Sequence, residues 1–345
     1  MAFGTIGIYI LLLSVLPKGL KSFLISPVPR NDEAKPFLKL SMATDAVSAH
    51  SSNPQNDDPL SSDQEIENYS LQLAFQPPQM LRELKLGEQL HLPSTPLEII
   101  RVSVVPDIFL FRNFLPYDQD RQALMQEAIA SGLEDAETKS GHVLHRSQSS
   151  VAWIHVVVDE TELTTTTAGQ QIASFMTDTV PQIFLSETLL ESNRFDPETL
   201  QVAHYTKGGK FDLHHDGFGR VVTVLTYLNG VAGTWFPFAK LSEITAADKE
   251  ECPPQMTLEG TRMTEGKVPG KHGIWVVGDE FEGDPPTDPH IVKVCAGDAV
   301  VFYNYELDVG YGGAPTMAWR SLHAGMPASR EKWIATNWIH TDFVD

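Results

Sequence analysis

Three residues of metal-binding type stand out in the second half of the chain. His214 and Asp216 lie two positions apart in the segment 211–216, FDLHHD, and His323 follows a strongly apolar stretch further along. Because side chains at i and i+2 of a β-strand point to the same face, His214 and Asp216 can bind one ligand together. We therefore predict that His214, Asp216 and His323 hold one metal ion and form the catalytic centre.

This set of donors also limits the chemistry of the predicted metal. Two imidazoles and one carboxylate on one face leave three coordination positions free, as in non-haem iron(II) oxygenases. Two of those positions suit the carboxylate and keto oxygens of 2-oxoglutarate, and the third suits dioxygen. An H-x-D triplet alone is frequent by chance, so the hypothesis depends on the strand context, on His323 and on a nearby cation. His215 is expected to point outward from the same strand.

The nearby cation is Lys332, which opens the strand-like segment 332–340, KWIATNWIH. If this strand runs antiparallel beside the metal strands, the ammonium group can meet the distal carboxylate of 2-oxoglutarate. A charge-assisted hydrogen bond of that kind contributes about 1.5 to 3 kcal/mol. Arg330 is the alternative cation, and an ordinary surface position for Lys332 is the alternative in the absence of the other motifs.

The elements that must position these residues are mostly short strands. From residue 200 onward, apolar β-rich runs alternate with turn residues, and strand-like runs also cover 97–105 and 108–111. Helices are predicted over 116–133 and over 167–190, the second broken or kinked at Pro181. We predict a mainly β fold with flanking helices: a double-stranded β-helix (jelly roll, cupin-like) with supporting N-terminal α-helices.

The N-terminal part of the chain differs in composition from the rest. Residues 4–16, GTIGIYILLLSVL, are apolar but short for a bilayer-spanning helix, so residues 1–25 are predicted to be a signal peptide, with an uncleaved membrane anchor as the alternative. Residues 26–95 are predicted to be a mostly disordered polar linker, and 96–345 the catalytic domain. Asn68-Tyr69-Ser70 is a glycosylation sequon that matters only in a secreted chain. The expected location is the secretory pathway, in the endoplasmic reticulum lumen or membrane.

The overall charge and the cysteine count exclude some classes of protein. A formal net charge of −20 opposes nucleic-acid binding, and no basic run offsets it. Only two cysteines are present, so the chain is not a disulfide-built scaffold. Cys252 and Cys295 form one bridge or remain two thiols, and both alternatives stay open.

Six segments together resemble the catalytic domain of prolyl 4-hydroxylases, which belong to the Fe(II)/2-oxoglutarate-dependent dioxygenases. The resemblance covers about 105–340 and keeps the ligands, the lysine and the intervening strands in the family order. The segments are LQVAHYTKGGKFDLHHD from Leu200, RVVTVLTYLN from Arg220, GTWFP from Gly233, GDAVVF from Gly297, SLHAGMP from Ser321 and EKWIATNWIH from Glu331.

The resemblance implies 4-hydroxylation of proline in a peptide or protein substrate, with 2-oxoglutarate and O2 consumed and succinate and CO2 released. By the same resemblance, Tyr205 and Thr234 join Lys332 in contacting the 2-oxoglutarate carboxylate. L-Ascorbate is the implied reductant that restores iron after uncoupled turnover. The resemblance implies no particular oligomeric state.

Several positions depart from the family pattern, which leaves the choice of substrate open. Phe211 replaces a common tyrosine, residues 232–234 shorten a Gly-Gly-Glu-Thr segment, Lys332 comes one residue early, and the segment 239–290 is long enough for a substrate loop or a surface insertion. The alternatives are the same chemistry on another peptidyl side chain or a small molecule, and a catalytically silent jelly-roll binding protein. A zinc hydrolase is disfavoured because it gives Lys332 no role.

Overall fold

The computed structural model describes ten stretches of the chain, and the described residues are dominated by β-structure. The described residues are 75–92, 96–136, 138–140, 143–155, 167–217, 219–231, 233–242, 273–278, 290–308 and 314–341. The helices are α1 (Gln79–Arg82), α2 (Asp118–Ser131), α3 (Ala168–Phe184) and α4 (Glu187–Ser192). The strands are β1 (Gln89–His91), β2 (Glu98–Ser103), β3 (Ile108–Arg112), β4 (Glu134–Asp135), β5 (Thr138–Ser140), β6 (Val143–Ile154), β7 (Phe195–Pro197), β8 (Leu200–His214), β9 (Arg220–Tyr227), β10 (Gly233–Phe236), β11 (Ile274–Val277), β12 (His290–Lys293), β13 (Ala299–Tyr303), β14 (Tyr305–Asp308), β15 (Ala314–Met317), β16 (His323–Gly325) and β17 (Lys332–Thr341).

The strands pair as two four-stranded sheets that share the long strand β8. The first half of β8 pairs with β17, and the order continues through β9 to β13, giving the first sheet. The last residues of β8 pair with β16, followed by β10 and β11, giving the second sheet. The chain therefore passes from sheet to sheet, except at the β10–β11 hairpin, which lies wholly in the second sheet. This is the order of a double-stranded β-helix and confirms the predicted jelly roll.

Each sheet of the jelly roll is extended at an edge. Strands β3, β2 and β1 follow β13 in the first sheet, and β6 covers the other edge by pairing with β8. In the second sheet, β12 adds to β11 in parallel. The β6 pairing brings a strand from the N-terminal half of the domain alongside the residues that the sequence singled out.

Apolar side chains fill two layers. Between the sheets, Phe302 packs edge-to-face on Phe236, with ring centroids 5.1 Å apart, and both side chains are buried. On the other face of the first sheet, Phe111 packs edge-to-face on Phe184 of α3, with centroids 4.7 Å apart. Fully burying one such side chain contributes about 1.5 to 3 kcal/mol, so these layers hold the site in place.

The helices support the first sheet, as predicted, but the second helix differs from the prediction at its end. Thr167 caps the N-terminus of α3 in a reciprocal capping box with Gln170. The helix continues past Pro181 to Phe184, so it is not broken at Pro181, and the alternative of a kink there stays a prediction. The interruption lies at Leu185, after which the Ser186 hydroxyl accepts a hydrogen bond from Leu189 N–H and begins α4.

The predicted linker extends too far along the chain. Phe75, Leu81 and Leu84 are buried in the core, and β1 pairs with β2, so residues 75–92 belong to the folded part rather than to a polar linker over 26–95. Three well-spaced apolar side chains are sufficient to anchor a segment whose average composition is polar.

The predicted leader at 1–25, the rest of the linker and Cys252 lie outside the described residues, so these predictions are untested. No helix in the described stretches has both the length and the apolar character needed to cross a membrane.

Candidate metal and co-substrate site

Strand pairing brings the three predicted metal ligands together. His214 is the last residue of β8, and His323 lies directly opposite it at the start of β16. Asp216 comes just after the strand, and its Oδ1 lies 3.6 Å from His214 Nε2 and 3.7 Å from His323 Nε2. One donor atom from each residue lies within 4.8 Å of the others. Donors that share one octahedral divalent ion are about 3 Å apart at neighbouring positions, so the set fits a single ion after a small adjustment.

Backbone carbonyl groups orient both imidazoles toward the shared centre. His214 Nδ1 lies 2.8 Å from the Asp212 carbonyl oxygen, and His323 Nδ1 lies 3.0 Å from that of Ser321. An Nδ1–H group that donates to a carbonyl oxygen leaves the Nε2 lone pair free for a metal, which is the usual arrangement behind a histidine ligand. Burial lowers the pKa of His323 to about 4, so its ring is neutral at pH 7.

Asp216 is buried and ionised. Burial alone would raise the pKa of its carboxyl group, but the neighbouring His323 and His214 and the Thr223 hydroxyl outweigh burial and hold the pKa well below its usual range. Thr223 Oγ1 donates a hydrogen bond of 2.5 Å to Asp216 Oδ2. The site therefore presents two imidazole nitrogens and one carboxylate, the donor set of a facial iron(II) site.

His215 is not part of this cluster, but the expectation that it points outward is wrong. Its ring is partly buried, and Nε2 lies 3.2 Å from the Asn304 carbonyl oxygen. Gly217 N–H donates to its Nδ1 at 3.3 Å. The chain turns at Gly217, where φ is +99°, and this turn folds His215 back against the strand end.

The ligand cluster borders a cavity of about 240 Å³ between the two sheets. Lys332, the first residue of β17, lies opposite Tyr205 of β8 and is only 3% exposed. Its Nζ lies 4.4 Å from the centroid of the Tyr205 ring and 3.4 Å from the Met326 carbonyl oxygen in the second sheet. The predicted lysine therefore spans the cavity from one sheet to the other. Arg330, the alternative cation, is exposed and does not line the cavity.

The surroundings of Lys332 disfavour the charged form of its amino group. Burial lowers the pKa of Lys332 to about 8, and the nearby charge of Arg146 adds to the shift. Among the residues that the structure describes, no carboxylate lies within ion-pair distance of Lys332 or Arg146. An anionic ligand would restore the ammonium form and gain a charge-assisted hydrogen bond.

Thr234 and Tyr205, which the family resemblance assigned to the co-substrate, both border the cavity. Thr234 Oγ1 lies 2.9 Å from the Tyr227 hydroxyl, so a hydrogen bond between these two residues links β10 of the second sheet to β9 of the first. Tyr205 is buried beneath Lys332, and burial raises the pKa of its hydroxyl. Their positions are compatible with contacts to a carboxylate held by Lys332, and that role stays a prediction.

Sequence reasoning missed Arg146, a second buried cation near Lys332. Arg146 lies in β6, is 9% exposed, and places its guanidinium carbon 5.4 Å from the Tyr205 ring centroid and 5.0 Å from that of Phe211. Phe211 in turn stacks on His214, with centroids 3.7 Å apart. The polar sequence around Arg146 gives no strand signal, since β6 forms through pairing with β8.

The mouth of the cavity carries two indole rings. Trp153 of β6 and Trp338 of β17 have ring centroids 6.0 Å apart, and Trp153 is 39% exposed. The Arg220 guanidinium lies 4.0 Å from the centre of the Trp338 ring, and Glu198 holds it through bonds of 2.6 and 2.7 Å. This mouth offers an incoming molecule flat aromatic surfaces beside one fixed cation.

Comparisons with known proteins agree with the site. Residues 200–340 match the family model of the 2OG-Fe(II) oxygenase superfamily. The chain is 26% identical over 266 residues to the Arabidopsis thaliana protein named "Probable prolyl 4-hydroxylase 6", covering 71% of this chain and 73% of that protein. It is 31% identical over 159 residues to Prolyl 4-hydroxylase 2 of the same plant, covering 43% of each.

Solved structures of the same kind align with a large part of the chain. The viral collagen prolyl hydroxylase of Paramecium bursaria Chlorella virus-1, in complex with 2-oxoglutarate, aligns with a TM-score of 0.36 and 17% identity, covering 68% of this chain and 96% of that one. A Pseudomonas putida prolyl-4-hydroxylase aligns with a TM-score of 0.36 and 17% identity, covering 69% and 94%. The fold assignment rests on the strand pairing above, since these TM-scores are low.

The family match and the relatives confirm the resemblance to prolyl 4-hydroxylases and the expected use of Fe(II), 2-oxoglutarate and O2. Residues 200–340 contain the three ligand residues and Lys332. Residues 200–340 are therefore similar to the domain of the 2OG-Fe(II) oxygenase superfamily, and the protein is an Fe(II)- and 2-oxoglutarate-dependent dioxygenase.

Proposed function

We propose that the protein hydroxylates C4 of proline in a peptide or protein substrate, consuming 2-oxoglutarate and O2 and releasing succinate and CO2. The observation that carries the proposal is a single cavity that places the His214, Asp216 and His323 donors near the uncompensated ammonium group of Lys332. Similarity to plant proteins named as prolyl 4-hydroxylases supports proline as the target. Fe(II), when bound, would supply electrons that activate O2, so that O2 can oxidise an unreactive C–H bond.

Each group of the cavity has a role in this proposal. His214, Asp216 and His323 hold the metal, and Lys332 binds the distal carboxylate of 2-oxoglutarate. Tyr205 and Thr234 complete that contact from the two sheets. The buried rings of Phe236 and Phe302 pack on His323 and exclude water from that side of the metal ligands. Positioning accounts for most of the protein's own contribution.

The aromatic mouth supports a proline-containing substrate. Extended proline-rich segments bind aromatic-lined grooves because their backbone is already ordered and their rings are apolar. Trp153 and Trp338 offer such surfaces at the open end of the cavity, and Arg220 can donate to a backbone carbonyl group of the peptide. We include L-ascorbate as the reductant that sustains long incubations, on the strength of the family resemblance.

The direct test is mass spectrometry of proline-rich peptides incubated with Fe(II), 2-oxoglutarate, ascorbate and air. We expect a mass increase of one oxygen on proline, with succinate formed in parallel. His214→Ala should abolish both products, whereas His290→Ala, which changes an exposed histidine away from the cavity, should leave both unchanged.

Two other results would lead to other conclusions. Succinate formed without hydroxyproline across the peptide panel would contradict the proline assignment and favour another side chain or a small molecule. Metal binding without succinate formation above the His214→Ala background would identify a silent binding protein.

For location, we propose the secretory pathway, with the endoplasmic reticulum as the working compartment. The apolar run at residues 4–16 supports this proposal. Expression of the tagged full chain, followed by carbonate extraction and N-terminal sequencing, separates a cleaved leader from a retained anchor. Recovery of the full-length chain in the cytosolic fraction would contradict the proposal.

A further inference from the structure

The two carboxylate oxygens of Asp216 have different surroundings. Oδ1 lies 3.6 and 3.7 Å from the two ligand imidazoles, whereas Oδ2 accepts the hydrogen bond from Thr223 Oγ1. The side chain is 8% exposed, so few other groups compete for either oxygen. The surroundings thus favour Oδ1 as the metal ligand and keep Oδ2 away from the ion.

The direction of the hydrogen bonds around Thr223 follows from the amide group of Asn304. Asn304 Nδ2 lies 2.8 Å from Thr223 Oγ1, and an amide NH2 group can only donate, so the hydroxyl oxygen accepts from it. The single hydrogen of the hydroxyl is then left to donate to Asp216 Oδ2. The order of the hydrogen bonds, from Asn304 to Thr223 to Asp216, is therefore fixed.

The main chain holds Asn304 firmly. This residue lies between β13 and β14 and is 0% exposed. Its N–H donates to the Val221 carbonyl oxygen at 2.9 Å, and its carbonyl oxygen accepts from Ala318 N–H at 2.9 Å. The same carbonyl oxygen lies 3.2 Å from His215 Nε2. Asn304 therefore contacts the ligand segment at two points, through Thr223 to Asp216 and directly to His215.

We propose that Asn304 and Thr223 are positioning residues that hold Asp216 as a ligand through Oδ1 alone. Carboxylates bind divalent ions through one oxygen or through both. A second oxygen on the metal would occupy one of the positions that a facial site keeps open for 2-oxoglutarate and O2. The pair keeps Oδ2 engaged elsewhere and so preserves the open positions. The inference rests on the metal site of the proposed function.

The chain offers matched controls for this proposal. Thr226 is a buried threonine on the same strand, and its hydroxyl has no hydrogen-bond partner among the described residues. Asn337 is a buried asparagine whose two side-chain polar atoms also lack partners in the described part of the chain. Removing these groups perturbs the packing as much as removing Thr223 or Asn304, but breaks no bond to the ligand residue.

The test is calorimetric titration of Mn(II) into the metal-free full chain, which needs no turnover. We expect Thr223→Val to weaken Mn(II) binding about 10- to 100-fold, the usual range for partners of metal ligands. Thr223→Ser, which keeps the hydroxyl, should bind close to wild type, and Thr226→Val should match wild type. Equal affinity for Thr223→Val and wild type, or equal weakening in Thr226→Val, would overturn the proposal.

A second comparison tests whether the two residues act together. We expect Asn304→Ala to weaken Mn(II) binding more than Asn337→Ala does. Adding Asn304→Ala to Thr223→Val should produce little further loss, because the first change already breaks the connection to Asp216. Full additivity of the two changes would show independent effects and contradict the pairing.

These outcomes are separate from those of the proposed function. Intact Mn(II) binding that depends on Thr223, together with no hydroxyproline from any peptide, would defeat the substrate assignment and leave the positioning role standing. Hydroxyproline formation with Mn(II) affinity that is insensitive to Thr223 would do the reverse.

Discussion

The two ends of the cavity differ in how completely the protein compensates its own charges. At the metal end, the Asp216 carboxylate has a hydrogen-bond donor on Oδ2, and both ligand imidazoles are oriented by carbonyl groups. At the co-substrate end, Lys332 and Arg146 are buried beside the ring of Tyr205. Within the described part of the chain, no carboxylate lies within ion-pair distance of either cation. The metal end is organised in advance, whereas the other end requires an anion from outside.

The largest effect is expected at the metal end. His323→Ala removes one of the three metal ligands. Because the bound metal lowers the activation barrier by several kcal/mol, succinate formation should fall by about 1,000-fold or more. The measurement is 2-oxoglutarate turnover at saturating substrate. His290→Ala serves as the control. Substantial activity in His323→Ala would mean that the organised end is not the catalytic one.

Lys332→Ala is expected to have the next largest effect and should act on the other end alone. The KM for 2-oxoglutarate should rise about 10- to 150-fold, which corresponds to a lost interaction of ~1.5 to 3 kcal/mol. Mn(II) affinity should stay unchanged. Lys207→Ala, at an exposed lysine on β8, should behave as wild type. An unchanged KM in Lys332→Ala would assign the carboxylate contact elsewhere, with Arg146, the other cation that lines the cavity, as the next candidate.

The pH dependence of co-substrate binding sharpens the contrast. Burial lowers the pKa of Lys332 to about 8, so the charged form predominates at pH 7 and the neutral amine predominates at pH 9. The KM for 2-oxoglutarate should therefore rise with pH through this range, by about 10-fold at pH 9 relative to pH 7. Lys332→Arg keeps its charge and should show a flat profile. A flat profile in the wild type would contradict the role of an uncompensated lysine.

The smallest effect is expected for Arg146→Met, which removes the second cation. Since Arg146 lies beside Tyr205, we expect the KM for 2-oxoglutarate to rise only about 2- to 5-fold, as for a contact worth ~0.5 to 1 kcal/mol. Loss of the neighbouring charge should also move the pH-dependent rise in KM to higher pH, because Arg146 contributes to the lowered pKa of Lys332. A raised KM for the peptide with no change for 2-oxoglutarate would place Arg146 on the substrate side.

The metal end was the more predictable from the sequence, because short-range geometry determines most of it. The two-residue spacing of His214 and Asp216 indicates a shared face without knowledge of the fold. Even so, Asp216 lies beyond the strand end, where the turn at Gly217 sets its direction. His323 needed only a strand that returns beside β8, which the jelly roll supplies.

The partners of these residues were less predictable, because they depend on register between distant strands. Thr223 and Asn304 are 81 positions apart in the sequence. They meet because β9, which contains Thr223, pairs with β13, and Asn304 directly follows β13. Arg146 lies in a polar run that becomes a strand only beside β8. Phe75 and Leu81 belong to a segment whose average polarity concealed its few buried side chains.

The most direct test of the account is a calorimetric titration of 2-oxoglutarate into the Mn(II)-loaded protein without oxygen, compared with the metal-free protein and with Mn(II)-loaded Lys332→Ala. If both ends of the cavity hold one molecule, binding should require the metal and should weaken about 10- to 150-fold in Lys332→Ala while Mn(II) binding stays intact. Equal binding of 2-oxoglutarate to all three samples would contradict the central claim.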